Sequence, residues 1–375
     1  MQSNQLIAPA LAALLLCGAA SADELVVKIG LSGPLSGANA FAGKDNENGV
    51  RLALEELNAK KPLLVSGKAV KFVLMSEDDQ GDPKAGVSVA QKFVDAGVKF
   101  VLGPYNSGVA IPASRLYNDA GIVMSTVGTN PKITQSGYRS VFRIVASDTQ
   151  VGSAVASYAA RQLKVKNVGV IDDRTAFGQG IATEFIRQAK ASGLAIAGHE
   201  FTTDKATDFS AILTALKAKK VDAIFFGGYA PQGAPMARQM KQLGLNARLL
   251  GGDTLCSAEM GKLGGEAVGA NVLCAQAGAM LDKQAAGPAF QARYKARFKQ
   301  NPDVYAAPFY DQAMFIAQAI GATGSTDPSV VATALHSMRH QGVVGPYAYD
   351  EAGNLKTSSV TIYTFKDGLP VPLAN

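Results

Sequence analysis

Hydroxyl side chains follow two short apolar runs between residues 100 and 131, in a pattern suited to holding a small anion. Ser107 stands in a polar turn after the first run, directly before a predicted helix that carries Pro112 in its opening turn. The free N–H groups and the positive dipole end of such a helix favour a carboxylate. Thr129 lies in the polar turn after the second run. Because open α/β sheets bind ligands at the carboxyl ends of their parallel strands, we expect both turns at one site.

The residues that enzymes use for catalysis are sparse in this sequence. It has no G-x-S-x-G elbow, no G-x-x-x-x-G-K-[ST] loop and no spaced G-x-G-x-x-G fingerprint. His336 and His340 have the spacing of a metal pair on a predicted helix, but no glutamate accompanies them, so we interpret them as surface residues. His199 follows an apolar run and is interpreted as structural. The sequence therefore predicts a protein that is not an enzyme and has no metal or cofactor.

The first 22 residues have the composition of a secretory signal peptide. Their apolar run is short for a membrane span, which needs about 20 residues. The run ends in Ala20-Ser21-Ala22, and these small residues predict cleavage after Ala22. Cys17 raises the alternative of a lipoprotein, but Leu16 before it is too large for a lipobox. We therefore expect a soluble, exported mature protein.

The net charge of +6 does not by itself indicate a nucleic-acid partner. The densest basic cluster, residues 293–299, lies on one predicted amphipathic helix among apolar residues. No stacking-aromatic motif accompanies it, so we interpret it as a solvated helix face and predict no nucleic-acid binding.

Signal cleavage would leave two cysteines, Cys256 and Cys274. In an oxidising compartment a pair at this separation most simply forms one disulfide. Two buried free thiols are the alternative.

Strand-like and helix-like segments alternate through the mature chain, which is typical of βαβ crossovers and parallel sheets. The alternation begins again near 145–150, so we predict an α/β fold of two doubly wound parallel-sheet lobes joined by several hinge crossings. Helices between 284 and 337 are expected to cover the first lobe, and residues 345–372 are expected to form antiparallel strands. The predicted boundaries are 1–22 for the signal peptide, 23–147 plus about 276–342 for lobe 1, and 148–275 plus about 343–375 for lobe 2.

Several motifs occur in the order typical of one family: SGPLSG, EDDQGDPKAG, GPYNSG, TVGTNP, FFGGY and LLGGD. Over essentially the whole mature chain the sequence resembles the type I periplasmic solute-binding proteins of branched-chain amino-acid ABC transporters, the leucine/isoleucine/valine-binding proteins. This resemblance implies the type I periplasmic binding protein fold, with the ligand in the cleft between two lobes. It also implies a periplasmic monomer that delivers an amino acid to an inner-membrane ABC permease.

The resemblance further implies roles for individual residues. Ser107 matches the serine that holds the ligand carboxylate, and Val127 and Thr129 match the backbone and hydroxyl contacts of the second turn. Asp253 stands where the leucine-binding proteins carry a glutamate that pairs with the ligand ammonium. The aromatic positions that line the pocket are matched by Tyr229, Phe41 and Phe177.

Departures from the family pattern bear on the ligand. Asp253 is one methylene shorter than glutamate, so we expect it to reach the ammonium differently or through water. Phe41 and Phe177 lack the hydroxyl of the tyrosines often found there, which predicts a more apolar pocket. An aromatic acid, an amide or urea therefore stays open as the ligand, and a ligand-sensing subunit stays open as the role.

The residue chemistry favours a zwitterion independently of the resemblance. A dry cleft must pair both charges of such a ligand, because an unpaired buried charge is costly. Ser107 and Thr129 supply donors for the carboxylate, and Asp253 supplies the anion for the ammonium. Taken singly, Ser107 could be only an N-cap, Asp253 a turn residue and the phenylalanines core residues.

Overall fold

The computed structural model describes residues 24–278 and 280–373, so the predicted signal peptide and its cleavage site lie outside the described residues. Two parallel-dominated sheets with packed helices make up this part of the chain. The predicted α/β fold of two lobes is therefore confirmed. None of the helices within these ranges is long and apolar enough to cross a membrane.

Strands and helices alternate along most of the chain. The first part contains β1 (Glu24–Gly33), α1 (Ala40–Ala59), β2 (Leu64–Val65), β3 (Lys68–Asp78), α2 (Pro83–Asp95), β4 (Phe100–Leu102), α3 (Ser107–Asp119), β5 (Val123–Thr126) and β6 (Val141–Arg143). The middle part contains α4 (Asp148–Arg161), β7 (Asn167–Asp172), α5 (Ala176–Ala191), β8 (Ala195–Phe201), α6 (Ser210–Ala218), β9 (Ala223–Gly227), α7 (Ala230–Gln242), β10 (Arg248–Gly251), α8 (Ala258–Gly264) and β11 (Val272–Ala277). The last part contains α9 (Gly287–Phe298), α10 (Ala306–Thr323), α11 (Pro328–Ser337), β12 (His340–Gly342), β13 (Gly345–Tyr347), β14 (Val360–Lys366) and β15 (Leu369–Pro372).

Lobe 1 is built on the sheet β2-β3-β1-β4-β5-β6, which is parallel apart from the β2–β3 hairpin. Helix α1 buries Val50, Ala53 and Leu54, the helical spacing expected for one apolar face. Helix α10 packs along α1, and α9 also contacts it. Helices from the last part of the chain therefore return to cover lobe 1, as predicted.

Lobe 2 is built on the sheet β15-β14-β11-β10-β9-β7-β8. Strand β11, which the sequence analysis did not predict, pairs in parallel with β10 and antiparallel with β14. The predicted antiparallel ending is confirmed for β14 and β15, whereas β13 pairs with β12 in a separate hairpin. The chain crosses between the two sheets after β6, after β11 and before β14, which is the wiring of a hinge.

The predicted placement of His336 and His340 on one helix is wrong. Helix α11 ends at Ser337, and His340 begins β12. The ring nitrogens of His336 are hydrogen-bonded to the backbone carbonyls of Asp350 and Arg139. Within the described residues, no group of potential ligand side chains could hold a metal ion.

Candidate ligand-binding site

Strand ends of both sheets meet at a small cavity of about 10 Å³ between the lobes. Its lining residues are Tyr105, Ser107, Val127, Thr129, Phe177, Tyr229, Asp253, Thr254 and Tyr305. The structure thus brings together all of the predicted ligand-binding residues except Phe41.

The lobe 1 wall of the cavity is formed by the turns after β4 and β5. Ser107 is the first residue of α3, and the first turn of this helix carries no acidic side chain. The positive end of the helix dipole therefore lies at the cavity without a neighbouring carboxylate from its own first turn. The Ser107 hydroxyl accepts a hydrogen bond from the backbone N–H of Asn130 at 3.3 Å. The Thr126 hydroxyl donates to the Pro104 carbonyl at 2.6 Å and joins the two turns. These contacts set Ser107 and the second turn at one edge of the sheet.

The lobe 2 wall combines aromatic rings with a carboxylate. Tyr229 directly precedes α7, and its ring centroid lies 5.2 Å from that of Phe177 and 6.1 Å from that of Tyr105 in lobe 1. Asp253 opens a short 3-10 helix after β10. The Thr254 hydroxyl donates to the Gly228 carbonyl at 2.6 Å and ties this segment to the end of β9. The lobe 2 wall therefore combines two aromatic rings with one hydroxyl and one carboxylate.

Asp253 is buried, and its two carboxylate oxygens differ in their hydrogen bonding. Oδ2 accepts a hydrogen bond from the Tyr305 hydroxyl, which comes from lobe 1 just before α10. Oδ1 is buried without any hydrogen-bond partner. Burial raises the pKa of Asp253 to about 6, and the Tyr305 hydroxyl and the backbone N–H groups of Asp253 and Thr254 oppose that rise. Since an unpaired buried acceptor is costly, Oδ1 marks a place for a donor group of a ligand.

The structure does not bring Phe41 to this cavity. Helix α1 begins at Ala40, so Phe41 lies within its first turn. Its half-buried ring packs against the cores of both lobes and lines a wider depression with Lys44 and Glu259. Phe41, which the resemblance places in the pocket, is therefore not among the residues that line this cavity.

Two tyrosines that were not predicted from the sequence, Tyr105 and Tyr305, also line the cavity. Their hydroxyls make the cavity more polar than the predicted pocket. Tyr105 lies in the same turn as Ser107, and that polar turn was a signal from which it could have been found. Tyr305 lies 52 residues beyond Asp253 with no strand end beside it, so no local pattern pointed to it. Burial raises the pKa of Tyr105, Tyr229 and Tyr305 well above the ordinary tyrosine value, which keeps their hydroxyls protonated.

The predicted disulfide is confirmed between Cys256 and Cys274, whose Cα atoms are 5.4 Å apart. Cys256 directly follows the 3-10 helix that carries Asp253, and Cys274 lies on β11. The bridge therefore fastens the Asp253 segment to a central strand of lobe 2.

Replacing both cysteines by alanine will lower the free energy of unfolding by about 3 kcal/mol, because the unfolded chain loses a loop constraint of 18 residues. Urea denaturation of the oxidised wild type and the double variant measures this difference. The reduced wild type is the matched control and should resemble the variant. Equal unfolding free energies for all three proteins would contradict the prediction.

Comparisons with known proteins agree with this architecture. Residues 26–369 match the family described as periplasmic binding protein. The chain is 35% identical to the Leu/Ile/Val-binding protein BraC3 of Rhizobium johnstonii, over 98% of each chain. It superposes on the leucine binding protein LivK of Thermotoga maritima with a TM-score of 0.85 and 27% identity, over 93% of this chain and 98% of that one. For the ABC transporter substrate-binding protein of Desulfitobacterium hafniense in complex with Leu, the TM-score is 0.77 and the identity 27%, over 93% and 100% of the two chains.

Proposed function

The chain belongs to the periplasmic binding protein family, and from this premise we propose that it is the exported substrate-binding component of an ABC importer. It binds a branched-chain or other apolar amino acid between its lobes and delivers it to an inner-membrane ABC permease. The mature protein begins after Ala22 and acts in the periplasm as a monomer. The observation that carries this proposal is a cavity with an uncompensated helix start on one side and an orphaned carboxylate oxygen on the other.

The ligand carboxylate binds at the lobe 1 side of the cavity. Ser107 is only 1% exposed. Its hydroxyl oxygen accepts from the Asn130 N–H, so the hydroxyl hydrogen remains available to the ligand carboxylate. The backbone N–H groups of the first turn of α3 add donors and a positive dipole end. Together they replace the water that a carboxylate loses on entering the cleft.

The ligand ammonium binds at Asp253, and the side chain lies against Val127, Phe177 and the tyrosine rings. An acid or amide without an amine would leave Asp253 Oδ1 buried and unpaired. The aromatic-acid, amide or urea alternative also loses the support of Phe41, which lies outside the cavity. A ligand-sensing subunit would use the same cavity. The role of a binding protein is supported by the names of the relatives, a Leu/Ile/Val-binding protein and a leucine binding protein.

Closure is driven by contacts that the ligand makes with both lobes at once. The Tyr305 hydroxyl of lobe 1 reaches Asp253 of lobe 2, and the Asn130 side-chain amide of lobe 1 donates to the Ala176 carbonyl of lobe 2 at 2.6 Å. These bonds exist only with the cleft shut. A ligand that pairs with both walls therefore shifts the protein toward the closed form.

A thermal-shift screen of the mature protein tests the proposal. Leucine, isoleucine or valine at 100 times Kd should stabilise the protein by about 2.7 kcal/mol. 4-Methylpentanoate, which is leucine without its amine, and leucinamide, which lacks the carboxylate, are the matched controls and should give much smaller shifts. A shift with amine-free acids but with no amino acid would overturn the proposed ligand class.

A further inference from the structure

The segment that carries Asp253 is held at both ends by one residue of β11, Cys274. Before Asp253, Gly251 pairs with Cys274 in the parallel ladder of β10 and β11. After Asp253, Cys256 is joined to Cys274 by the disulfide. Residues 251–256 therefore form a short loop whose two ends meet at the same strand residue, and Asp253 lies inside this loop.

The carboxylate of Asp253 depends on this loop for its position in lobe 2. Its Oδ1 has no hydrogen-bond partner, and its Oδ2 accepts from the Tyr305 hydroxyl of lobe 1. Within the described residues, no lobe 2 side chain donates to it. The lobe 2 groups that oppose the rise of its pKa are the backbone N–H groups of Asp253 itself and of Thr254. The loop backbone therefore sets where the carboxylate lies in an open cleft, where the bond to Tyr305 is absent.

Main-chain contacts connect the disulfide directly to Asp253. The backbone N–H of Cys256 donates to the Asp253 carbonyl at 2.9 Å. The side-chain amide of Gln276, also on β11, donates to the Cys256 carbonyl at 3.2 Å. Both cysteines are 0% exposed and belong to the core of lobe 2. The bridge therefore fixes a piece of backbone that is one hydrogen bond away from Asp253.

Two further contacts hold the middle of the loop but not its end. The Thr254 hydroxyl donates to the Gly228 carbonyl at 2.6 Å, and the Leu255 side chain is buried in the core of lobe 2. A hydrogen bond can break and a buried side chain can change its rotamer without breaking the chain. The disulfide instead restricts the distance between the Cα atoms of Cys256 and Cys274, which is 5.4 Å, to a narrow range.

We infer that the Cys256–Cys274 bridge positions Asp253, and that the selectivity of the site for a ligand amine depends on this bridge. A charge-assisted hydrogen bond to an ammonium is short and directional, so a displacement of the carboxylate by about 1 Å weakens it strongly. Contacts of the ligand with Ser107 of lobe 1 do not involve the loop. The inference rests on the proposed function, since it requires that Asp253 meets a ligand amine.

The test is the double variant Cys256→Ala, Cys274→Ala. Calorimetric titration gives the ratio of the affinities for leucine and for 4-methylpentanoate, which lacks the amine. We expect this ratio to fall by about 5- to 20-fold, because only leucine depends on the position of the carboxylate. A merely structural bridge would leave the ratio at the wild-type value, which would overturn the inference.

Leu216→Ala is the matched control. Leu216 lies on α6, is 0% exposed and belongs to the core of lobe 2, but it does not line the cavity. Truncating a buried leucine destabilises a protein to an extent similar to the loss of a disulfide. The control should therefore lose stability as the double variant does, yet keep the wild-type ratio of affinities. An equal fall of the ratio in the control would show a general loosening of lobe 2 and would overturn the inference.

A second measurement uses the wild type and keeps both sulfur atoms. Dithiothreitol in urea reduces the bridge to two thiols and is itself oxidised to a cyclic disulfide; the urea is then removed while the reductant is kept. We expect the ratio of affinities to fall as in the double variant, and to return when oxidised glutathione re-forms the bridge and is reduced to two thiols.

Two results with the reduced wild type would show a purely structural bridge and overturn the inference while leaving the proposed function intact. One is an unchanged ratio of affinities, and the other is a reduced protein that does not fold even with saturating leucine. Binding of amine-free acids and of no amino acid by the oxidised protein would overturn the proposed function as well.

Discussion

Replacing Asp253 by alanine will weaken leucine binding by about 100-fold or more and leave the melting temperature of the unliganded protein nearly unchanged. Removing one partner of a buried, hydrogen-bonded charge pair costs about 2–5 kcal/mol, and each 1.4 kcal/mol is a factor of ten. Asp253 is 1% exposed and its Oδ1 has no internal partner. Its Oδ2 accepts from the Tyr305 hydroxyl of lobe 1, a bond that an open, unliganded cleft lacks, so the free protein loses little when the carboxylate is removed.

The stability of the closed, unliganded form depends on pH through Asp253. Burial raises the pKa of Asp253 from the ordinary aspartate value to about 6. Its contribution to the stability of that form is therefore present at acid pH and is lost as the pH rises through about 6. The alanine variant should lack this part of the pH dependence.

Calorimetric titration with leucine measures the loss of affinity. Asp173→Asn is the matched control, because Asp173 is a buried lobe 2 carboxylate whose pKa burial also raises to about 6, yet it does not line the cavity. The control should bind leucine as the wild type does. Wild-type affinity in Asp253→Ala would show that this residue is not the partner of the ammonium.

Replacing Gly180 by leucine will prevent full closure and weaken leucine binding on the order of 10- to 100-fold. A Cβ atom at Gly180 would lie 2.5 Å from Nδ2 of Asn130 in lobe 1 and 2.7 Å from Oδ2 of Asp148 on the neighbouring helix, so both side chains must shift for this first atom alone. The leucine atoms beyond it press further against lobe 1. Forcing extra atoms into a packed contact costs about 1–3 kcal/mol. In an open cleft the contact with Asn130 of lobe 1 is absent, and replacing glycine inside a helix favours the helix by up to about 1 kcal/mol, which offsets the displacement of the Asp148 side chain. The unliganded variant should therefore be about as stable as the wild type.

Small-angle X-ray scattering with and without saturating leucine measures this effect together with the Kd. The wild type should become more compact with ligand, whereas the variant should stay extended. Gln179→Leu, an exposed neighbour on the same helix, is the matched control and should close normally. Ligand-induced compaction of the Gly180 variant to the wild-type extent would refute the steric argument.

Local patterns in the sequence were sufficient to predict the fold and part of the cavity lining. Alternating strand and helix segments predict parallel sheets, because a crossover helix is the short connection between parallel strands. The carboxyl ends of those strands share one edge, which is why Ser107 and Thr129 were found from their turns. The bridge between Cys256 and Cys274 followed from the number of cysteines and the predicted compartment.

Tertiary structure alone decided the features that depend on two distant segments meeting. The short run that became β11 has no distinctive period, and its role is set by β10 and β14 on either side. Phe41 does not line the cavity and packs instead against the cores of both lobes, contacts that no local pattern shows.

Tyr305 entered the cavity lining because two distant segments meet. It comes from the start of a helix that packs on lobe 1, and its hydroxyl reaches Asp253 of lobe 2. Its position carries no local signal, because this contact between the lobes depends on how they pack. The sequence by itself therefore determined which strand ends line the cavity, and the packing of one lobe on the other determined which hydroxyl meets the carboxylate there.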